Sequence, residues 1–269
     1  MEKTADIILS RINNGYYDSD GNTWWQPDSP LYLIHSSVNP ARISYLKRKL
    51  LAGLNMDPAG KKALEVGCGG GFLCEEIARM GFDVTGIDPA KKSIESAENH
   101  AKSSGLNIRY ASGSGEALPY QDNTFDIVFC CDVLEHVQNV QKVISEISRV
   151  LAPGGTFFYD TFNRTLFSKL AAINISQAWK RWAFAPPNLH VWEMFIKPRE
   201  LREILAANRL VSKEHTGLMP NAPFPMLLHK LRDRAKGLIS YRELGQMLFL
   251  RESKSTLLMY MGYAVKKPT

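Results

Sequence analysis

The sequence is poor in cysteine, lacks a long apolar run and contains no block of basic residues. Its four cysteines show no C-x-x-C spacing and no disulfide framework, which indicates a reducing compartment. No signal peptide or transmembrane segment is visible, so we expect a cytoplasmic protein, either free or peripheral at the inner face of the membrane. Lysine and arginine number 33 against 27 acidic residues, an excess too dispersed to predict nucleic-acid binding.

What the sequence does have is a glycine-rich turn between two apolar runs. Its 269 residues are 45% apolar, enough for one substantial core. Ala63 to Val66 suits a buried parallel strand, and glycines follow where the chain must turn into a helix. A second predicted strand ends at Asp88, about twenty residues past the first glycine, where a carboxylate can accept both hydroxyls of a ribose. This βαβ unit predicts a nucleotide-like ligand.

Two kinds of nucleotide-like ligand fit this turn. Dinucleotides favour the pattern G-x-G-x-x-G, but Phe72 occupies the position of its third glycine. Glu65, just before the turn, is unfavourable beside a pyrophosphate and suits a cationic sulfonium with its ammonium group. A nicotinamide-dependent oxidoreductase is therefore disfavoured, and glycines that serve only packing are the plainest alternative.

The motifs resemble those of class I methyltransferases, which use S-adenosylmethionine (SAM). E-V-G-C-G-G-G followed by G-I-D resembles their first two motifs, and R-V-L-A-P-G-G resembles a late one. The resemblance implies an α/β, Rossmann-like, doubly wound fold with a seven-stranded, mostly parallel sheet, an N-terminal cap and helical insertions on the substrate side. It also implies SAM as cofactor and S-adenosylhomocysteine as product. Ser114, Gly115 and Glu116 stand where this class contacts the adenine.

We expect the chain to form one domain over residues 1–269. The N-terminal segment starts with a short helical pattern at Ile7 and is then rich in aromatics, which predicts a lid over the site or packing on the core alone. The expected segments are a cap or lid (1–55), the SAM-binding core (60–163), an amphipathic insertion (164–190), two parts that complete the sheet (191–217 and 256–269) and a second insertion (218–255).

Acidic residues and a histidine follow the fourth predicted strand, Phe125 to Cys131. If that segment is helical, Asp132, Glu135 and His136 share one face, because they stand at i, i+3 and i+4. These side chains could converge on a divalent metal, or His136 could act as a base. The plainer alternative is that the acids cap a helix and the histidine holds a loop carbonyl.

A longer series of motifs resembles the ubiquinone-pathway O-methyltransferases, which methylate polyprenyl dihydroxybenzenes. N-P-A-R, C-D-V-L-E-H-V, F-N-R-T and H-V-W-E-M-F-I-K-P-R-E-L occur in the order of that family, within residues 15–220. The resemblance implies SAM contacts at Arg42, Gly67, Asp88 and Cys131. It also implies Mg²⁺ or another divalent metal at Asp132, Glu135 and His136.

The sequence departs from that family in three places. The family often has methionine at the position of Cys131, typically has glutamate at Asp132, and tends to be shorter over residues 218–255. These departures bear on the substrate more than on the reaction. The resemblance implies a small-molecule acceptor with a hydroxyl on an apolar aromatic ring, of catechol or quinol type and with or without a polyprenyl chain. The alternatives are a natural-product phenol, an amine or a carbon centre as acceptor, and a non-catalytic SAM-binding accessory protein.

Residues 164–187 interleave aromatic and basic side chains. Such a segment can contact a membrane or a prenyl chain, roof an apolar pocket, or pack on the core as an ordinary helix. Beyond it, His190 is a second candidate base or substrate contact, or simply a lid histidine. The predicted cofactor-binding residues are Arg42, Glu65, Gly67, Gly69, Asp88, Ser114, Gly115, Glu116 and Cys131, and the predicted catalytic residues are Glu135, His136 and His190.

Overall fold

The computed structural model describes residues 8–268, in which an eight-stranded sheet lies at the centre. The first seven residues of the predicted cap, with the start of its helical pattern, lie outside the described residues. The strands are β1 (Lys62–Val66), β2 (Asp83–Asp88), β3 (Arg109–Ser112), β4 (Phe125–Cys131), β5 (Leu151–Phe162), β6 (Leu210–Pro220), β7 (Leu250–Ser253) and β8 (Met259–Lys266). Their order across the sheet is β3-β2-β1-β4-β5-β8-β6-β7.

Helices separate β1 from β2, β2 from β3 and β4 from β5, a loop without a helix joins β3 to β4, and further helices form the insertions. They are α1 (Tyr16–Ser19), α2 (Asn39–Lys47), α3 (Phe72–Arg79), α4 (Lys91–Ser103), α5 (Val140–Val150), α6 (Leu166–Ser168), α7 (Pro198–Ala207), α8 (Phe224–Ala235) and α9 (Tyr241–Met247). Wider π-helical turns flank α2 at Ile34–Val38 and Arg48–Gly53, and follow α6 at Lys169–Ala178. Local chemistry sets several helix starts: the Asn139 side chain accepts the N–H of Lys142 at the start of α5, and Pro198 opens α7.

The strands β1 to β5 pair in parallel, whereas β6, β7 and β8 pair antiparallel. The chain adds β2 and β3 on one side of β1, and β4 and β5 on the other. This reversal of direction leaves a crevice at the carboxyl end of β1. The Rossmann-like, doubly wound prediction is confirmed, but the count of seven strands is wrong. β6 continues past Gly217 to Pro220, and this added length pairs with β7, inside the segment predicted as the second insertion.

Apolar layers lie on both faces of the sheet because successive strand residues point to opposite sides. Val128 and Phe157 pack in the layer that contains α5 and α7, whereas Phe129 and Phe158 pack in the layer that contains α2 and α3. All four side chains are buried. Such two-sided burial is typical of parallel sheets covered by helices, and it leaves the carboxyl edge as the place where polar side chains meet.

The N-terminal segment packs against that carboxyl edge. Trp24 and Leu31 form a buried cluster with Phe72, the first residue of α3, and further aromatic rings surround them. The segment therefore lies on the turn that follows β1. Within residues 8–268, no helix is both long enough and apolar enough to cross a lipid bilayer.

Candidate active site

The turn after β1 is held by the carboxylate at the end of β2. Gly67, Gly69 and Gly71 have φ angles of 74°, 50° and 83°, a region that favours glycine. Asp88 Oδ2 accepts the N–H of Gly69 at 2.9 Å, and Oδ1 accepts the N–H of Ala90 at 2.8 Å. Burial raises the pKa of Asp88, whereas these two N–H groups lower it. Asp88 therefore fixes the turn, and each oxygen keeps a second lone pair for the predicted ribose contact.

Trp24 of the N-terminal segment packs directly on the same turn. A Cβ atom at Gly69 or Gly70 would lie 2.6 or 2.4 Å from its side chain. The indole N–H donates to Ser93 Oγ at 2.8 Å, and that hydroxyl donates to the carbonyl of Tyr17 at 2.7 Å. Glycine is therefore required here by a packed tryptophan as well as by the backbone, a contact that the sequence pattern does not indicate.

A cavity of about 480 Å³ with several charged residues in its lining, here called the cofactor cavity, opens beside this turn. Its volume falls within the ~300–1,000 Å³ that is typical of small-molecule sites. All nine residues predicted to bind the cofactor line it: Arg42, Glu65, Gly67, Gly69, Asp88, Ser114, Gly115, Glu116 and Cys131. The structure thus brings together the whole predicted set.

Glu65 is a buried acid of this cavity with one unpartnered oxygen. Its Oε2 has no hydrogen-bond partner among residues 8–268, and burial raises its pKa to about 8, although Cys74 and Arg42 lower it. An unpartnered buried carboxylate oxygen is costly unless a donor or a cation joins it. The cavity is therefore suited to a ligand that carries positive charge.

Arg42 lines the cofactor cavity, but its guanidinium is already engaged. Nε donates to Asp160 at 2.6 Å, Nη2 to Asp132 at 2.7 Å and Nη1 to Asn39 at 2.6 Å. Burial raises the pKa of Asp160 to about 6, whereas Arg42 lowers it. Arg42 thus positions two acids of the site, and its direct contact with a cofactor stays a prediction.

Residues 132–138 form a turn rather than a helix. Asp132 has a φ angle of +56°, its N–H donates to Asp160 Oδ1 at 2.9 Å, and its carboxylate accepts from Arg42. These bonds stabilise a left-handed backbone that is uncommon outside glycine. The helical alternative, in which Asp132, Glu135 and His136 share one face, is therefore wrong.

A different trio converges here: Glu135, His136 and His190 place one ligand atom each within 4.8 Å of one another. Glu135 Oε2 accepts from the Thr161 hydroxyl at 2.7 Å, while Oε1 has no partner in the described part of the chain. Burial and, next, Asp132 raise the pKa of Glu135 to about 8. The structure therefore groups two of the three predicted metal ligands with His190, and Asp132 lies outside the trio.

Two residues of the N-terminal segment fix the ring of His136. Nδ1 is 3.1 Å from Asn14 Oδ1, and Nε2 is 3.4 Å from the Tyr17 hydroxyl. With Asn14 as acceptor, Nδ1 carries the proton and Nε2 presents a lone pair. Burial and then His190 lower the pKa of His136 well below its usual range, and burial lowers the pKa of His190 to about 4. Both rings are therefore neutral at pH 7.

A second cavity, here called the apolar cavity, has a volume of about 240 Å³ and an almost wholly apolar lining. Its walls come from the N-terminal segment (Leu31, Leu33, Val38), the first insertion (Phe167, Ala171, Ile175) and the second insertion (Leu227, Leu228, Leu231). Tyr17, Ile34 and Asp132 line both cavities. The two cavities meet beside the trio, because His136 lines one and His190 the other, with ring centroids 4.9 Å apart.

Known proteins share both the sequence motifs and the fold. Residues 64–159 match a methyltransferase domain family. The chain is 36% identical over 204 residues to a ubiquinone biosynthesis O-methyltransferase of Rhizobium johnstonii. The aligned residues cover 74% of this chain and 81% of that relative. A protein of the same name from Methylocella silvestris is 39% identical over 214 residues, covering 76% of this chain and 82% of that relative. The chain belongs to the family of the ubiquinone biosynthesis O-methyltransferases.

It is therefore a class I methyltransferase that uses SAM, which sets aside the oxidoreductase and the non-catalytic accessory protein. A solved SAM-dependent methyltransferase from Methanosarcina mazei has the same fold, with a TM-score of 0.56 at 20% identity, covering 81% of this chain and 98% of that one. The site of this methyltransferase fits SAM, because the free Glu65 oxygen suits a cationic ligand and Asp88 suits a ribose.

Proposed function

We propose that this methyltransferase methylates a hydroxyl on an apolar aromatic ring of catechol or quinol type. The observation that carries the proposal is the junction of the two cavities at Tyr17, Ile34 and Asp132. A ring at that junction would place a hydroxyl near neutral imidazoles and its apolar substituent in the apolar cavity. The curated relatives are named ubiquinone biosynthesis O-methyltransferases, which supports an acceptor of this class.

The residues of the cofactor cavity hold and orient the donor. SAM supplies a methyl group on a cationic sulfonium. Ionised Glu65 would pair with the positive charge of the ligand, and Asp88 would accept from its ribose hydroxyls. Trp24 and the glycine turn keep that end rigid, so positioning of the two reactants supplies much of the rate acceleration.

The acceptor hydroxyl must lose its proton as the methyl group transfers. Phenols resemble tyrosine, whose pKa is about 10, and are poor nucleophiles at neutral pH. His136 Nε2 presents a lone pair towards the Tyr17 hydroxyl, 3.4 Å away, and Glu135 Oε1 is an unpartnered buried oxygen of the same trio. His136 would accept the proton, because it lines the cofactor cavity where the two cavities meet, whereas Glu135 lines neither cavity.

The same trio would hold a divalent metal. Two imidazoles and a carboxylate suit Zn²⁺, Mn²⁺ or Fe²⁺ better than Mg²⁺, which favours oxygen ligands. A metal bound there would lower the pKa of a neighbouring hydroxyl. The unpartnered Oε1 of Glu135 supports this assignment, because a buried carboxylate oxygen needs a cation or a donor.

The reaction is tested by S-adenosylhomocysteine formation from SAM and pentylcatechol, with the methylated product identified by mass spectrometry. We expect a singly O-methylated catechol. If protein that binds SAM turns over neither pentylcatechol nor other alkyl catechols, the acceptor class is wrong, and amines and carbon acids become the acceptors to screen.

The metal assignment is tested by equilibrium dialysis with Mn²⁺ and elemental analysis, independently of turnover. His190→Ala and Glu135→Ala should lose the metal. Asp132→Asn should keep it, because the amide oxygen can still accept from Arg42. Loss of metal in Asp132→Asn with retention in His190→Ala would instead favour the trio Asp132, Glu135 and His136.

The first insertion supports a further proposal, peripheral contact with an anionic membrane. Leu166, Leu170 and Trp179 are 80%, 37% and 43% exposed, although such apolar side chains favour burial. Phe167 and Ala171 of the same segment line the apolar cavity. An amphipathic segment with basic residues between exposed aromatic and leucine side chains is typical of interfacial helices.

Co-sedimentation with phosphatidylglycerol vesicles tests this contact. Leu166→Asp should reduce the bound fraction, whereas Leu54→Asp, at a residue 36% exposed elsewhere on the surface, should not. Equal binding by both variants, or no binding by the unaltered protein, would contradict membrane contact.

A further inference from the structure

The side chain of Asn14 contacts His136 at two points. Its amide Nδ2 donates to the backbone carbonyl of His136 at 2.9 Å, and its Oδ1 lies 3.1 Å from the ring Nδ1. A carbonyl oxygen can only accept, so the amide nitrogen must face the carbonyl and Oδ1 must face the ring. The ring Nδ1 of His136 therefore carries the proton, and Nε2 keeps the lone pair.

Tyr17, the other hydrogen-bond partner of this ring, does not decide which nitrogen carries the proton. Its hydroxyl lies 3.4 Å from Nε2 and can either donate to a lone pair or accept from an N–H group. Among residues 8–268, Asn14 is the one hydrogen-bond partner of Nδ1. Without the Asn14 side chain, a proton on Nδ1 would lose its acceptor, whereas a proton on Nε2 would still have the Tyr17 oxygen.

The segment that carries Asn14 is held by backbone hydrogen bonds on both sides of that residue. One residue earlier, the N–H of Asn13 donates to the carbonyl of Asn188 at 2.8 Å. Three residues later, the carbonyl of Tyr17 accepts from the Ser93 hydroxyl of α4 at 2.7 Å. Asn14 is therefore held in position against His136 although its own side chain is exposed.

We propose that Asn14 is a positioning residue, which sets the tautomer of His136 and so keeps Nε2 free to act. This inference rests on the proposed function, in which His136 accepts a proton or binds a metal ion. Both roles need a lone pair, and an Nε2 that already carries a proton can perform neither. The N-terminal segment would thus supply a residue on which the site depends, as well as a cover over the cofactor.

Nitrogen-15 NMR of metal-free protein labelled in histidine tests the tautomer, with the His136 signals identified by their loss in His136→Gln. The proton should lie on Nδ1 in the unaltered protein and in Asn14→Asp, whose carboxylate still accepts. In Asn14→Leu, the proton should lie mainly on Nε2. Asn13→Leu is the matched control and should resemble the unaltered protein, because Asn13 is exposed, lines neither cavity and bonds Asn188 through its backbone.

Turnover of pentylcatechol gives a second measurement, made at saturating SAM because Asn14 also lines the cofactor cavity. Asn14→Leu should lower kcat ~10–100-fold, as for other residues that orient a functional histidine, and Asn14→Asp should retain most of it. A proton on Nε2 in the unaltered protein, or an unchanged tautomer in Asn14→Leu, would overturn the inference.

The two measurements also separate this inference from the proposed function. A changed tautomer in Asn14→Leu with full turnover would reject the positioning role and keep the reaction. The expected tautomers without methylation of any catechol by the unaltered protein would keep the assignment of Asn14 and reject the proposed reaction.

Discussion

The cofactor cavity and the apolar cavity meet at Tyr17, yet they are built by different means. The first is fixed by hydrogen bonds of Asp88 to the backbone and by glycines packed under Trp24, largely within one βαβ unit. The second is a leucine-rich space between three segments that are distant in the sequence. The cofactor cavity is therefore defined by hydrogen bonds and close backbone packing, whereas the apolar cavity is defined mainly by the packing of apolar side chains.

This difference has a consequence for how the enzyme can vary. Under the proposed function, a change in the apolar wall should alter which acceptor fits while SAM binding persists, whereas a change in the glycine turn should abolish SAM binding for every acceptor. Glu135, which is part of the trio beside the junction but lines neither cavity, should behave differently from both, because it should affect turnover without affecting the binding of SAM.

Glu135→Gln should produce the largest effect and tests the junction. The amide keeps an acceptor for the Thr161 hydroxyl but cannot ionise, whereas Glu135, with its pKa raised to about 8, can exchange a proton. We expect kcat to fall ~10²–10⁴-fold, as for loss of a positioned acid or base, with the Kd for SAM within about twofold of the unaltered enzyme. Steady-state kinetics measures kcat, and calorimetry measures the Kd for SAM. Glu98→Gln, at an exposed residue of α4, is the control. Retained turnover would refute a role for Glu135.

Asp88→Ala tests the SAM side and should nearly abolish cofactor binding. The change removes the acceptor for two backbone N–H groups and for the ribose, so the Kd for SAM should rise by at least ~100-fold, or about 2.7 kcal/mol. SAM should then no longer raise the melting temperature. Asp83→Ala at the other end of β2, where the side chain pairs with Arg109, should keep the shift. An unchanged shift in Asp88→Ala would contradict the ribose assignment.

Gly69→Ala separates the contact with Trp24 from backbone strain. Gly69 and Gly105 both have positive φ angles, 50° and 67°, but only a Cβ atom at Gly69 would meet another residue within 4 Å. Gly105→Ala should lose ~1–2 kcal/mol of unfolding free energy from backbone strain alone, and Gly69→Ala should lose more, because its Cβ atom would also meet Trp24. Only Gly69→Ala should also weaken SAM binding, by ~10-fold. Thermal melting and calorimetry compare them, and equal SAM affinity in both variants would argue against the packing of Trp24 on the turn.

Glu65→Gln should give the smallest effect, a change in the number of protons that are released when SAM binds. Because burial raises the pKa of Glu65 to about 8, the folded apo protein retains a proton that the unfolded chain releases, so its contribution to stability declines as pH rises from about 5 to 8. A cationic ligand favours the ionised form, so SAM binding at pH 7 should release most of one proton. Calorimetry in buffers of different ionisation enthalpy measures this release, which Glu65→Gln should abolish.

The local sequence pattern was sufficient to predict the strands and the turn that form the cofactor cavity. The strand Phe125–Cys131 and the acid at the end of β2 are confirmed, because a continuous apolar run and a glycine turn are properties of short stretches. The nine residues predicted to bind SAM line one cavity, since carboxyl ends of neighbouring parallel strands share one edge.

The junction was less predictable because its contacts span long distances in the sequence. No pattern marks Asn14, which reaches His136 across 122 residues, although the aromatic run did mark the segment of Tyr17. The left-handed backbone of Asp132 depends on Arg42 and Asp160, neither of which is near it in the sequence. β7 likewise forms only because β6 runs on to Pro220.

A crystal structure with S-adenosylhomocysteine and pentylcatechol tests the two-cavity account most directly. The account predicts the homocysteine ammonium against Glu65, a ring hydroxyl beside Glu135 and His136, and the pentyl chain against Leu228. A catechol bound outside the junction, or a tail that leaves the apolar cavity unfilled, would contradict it.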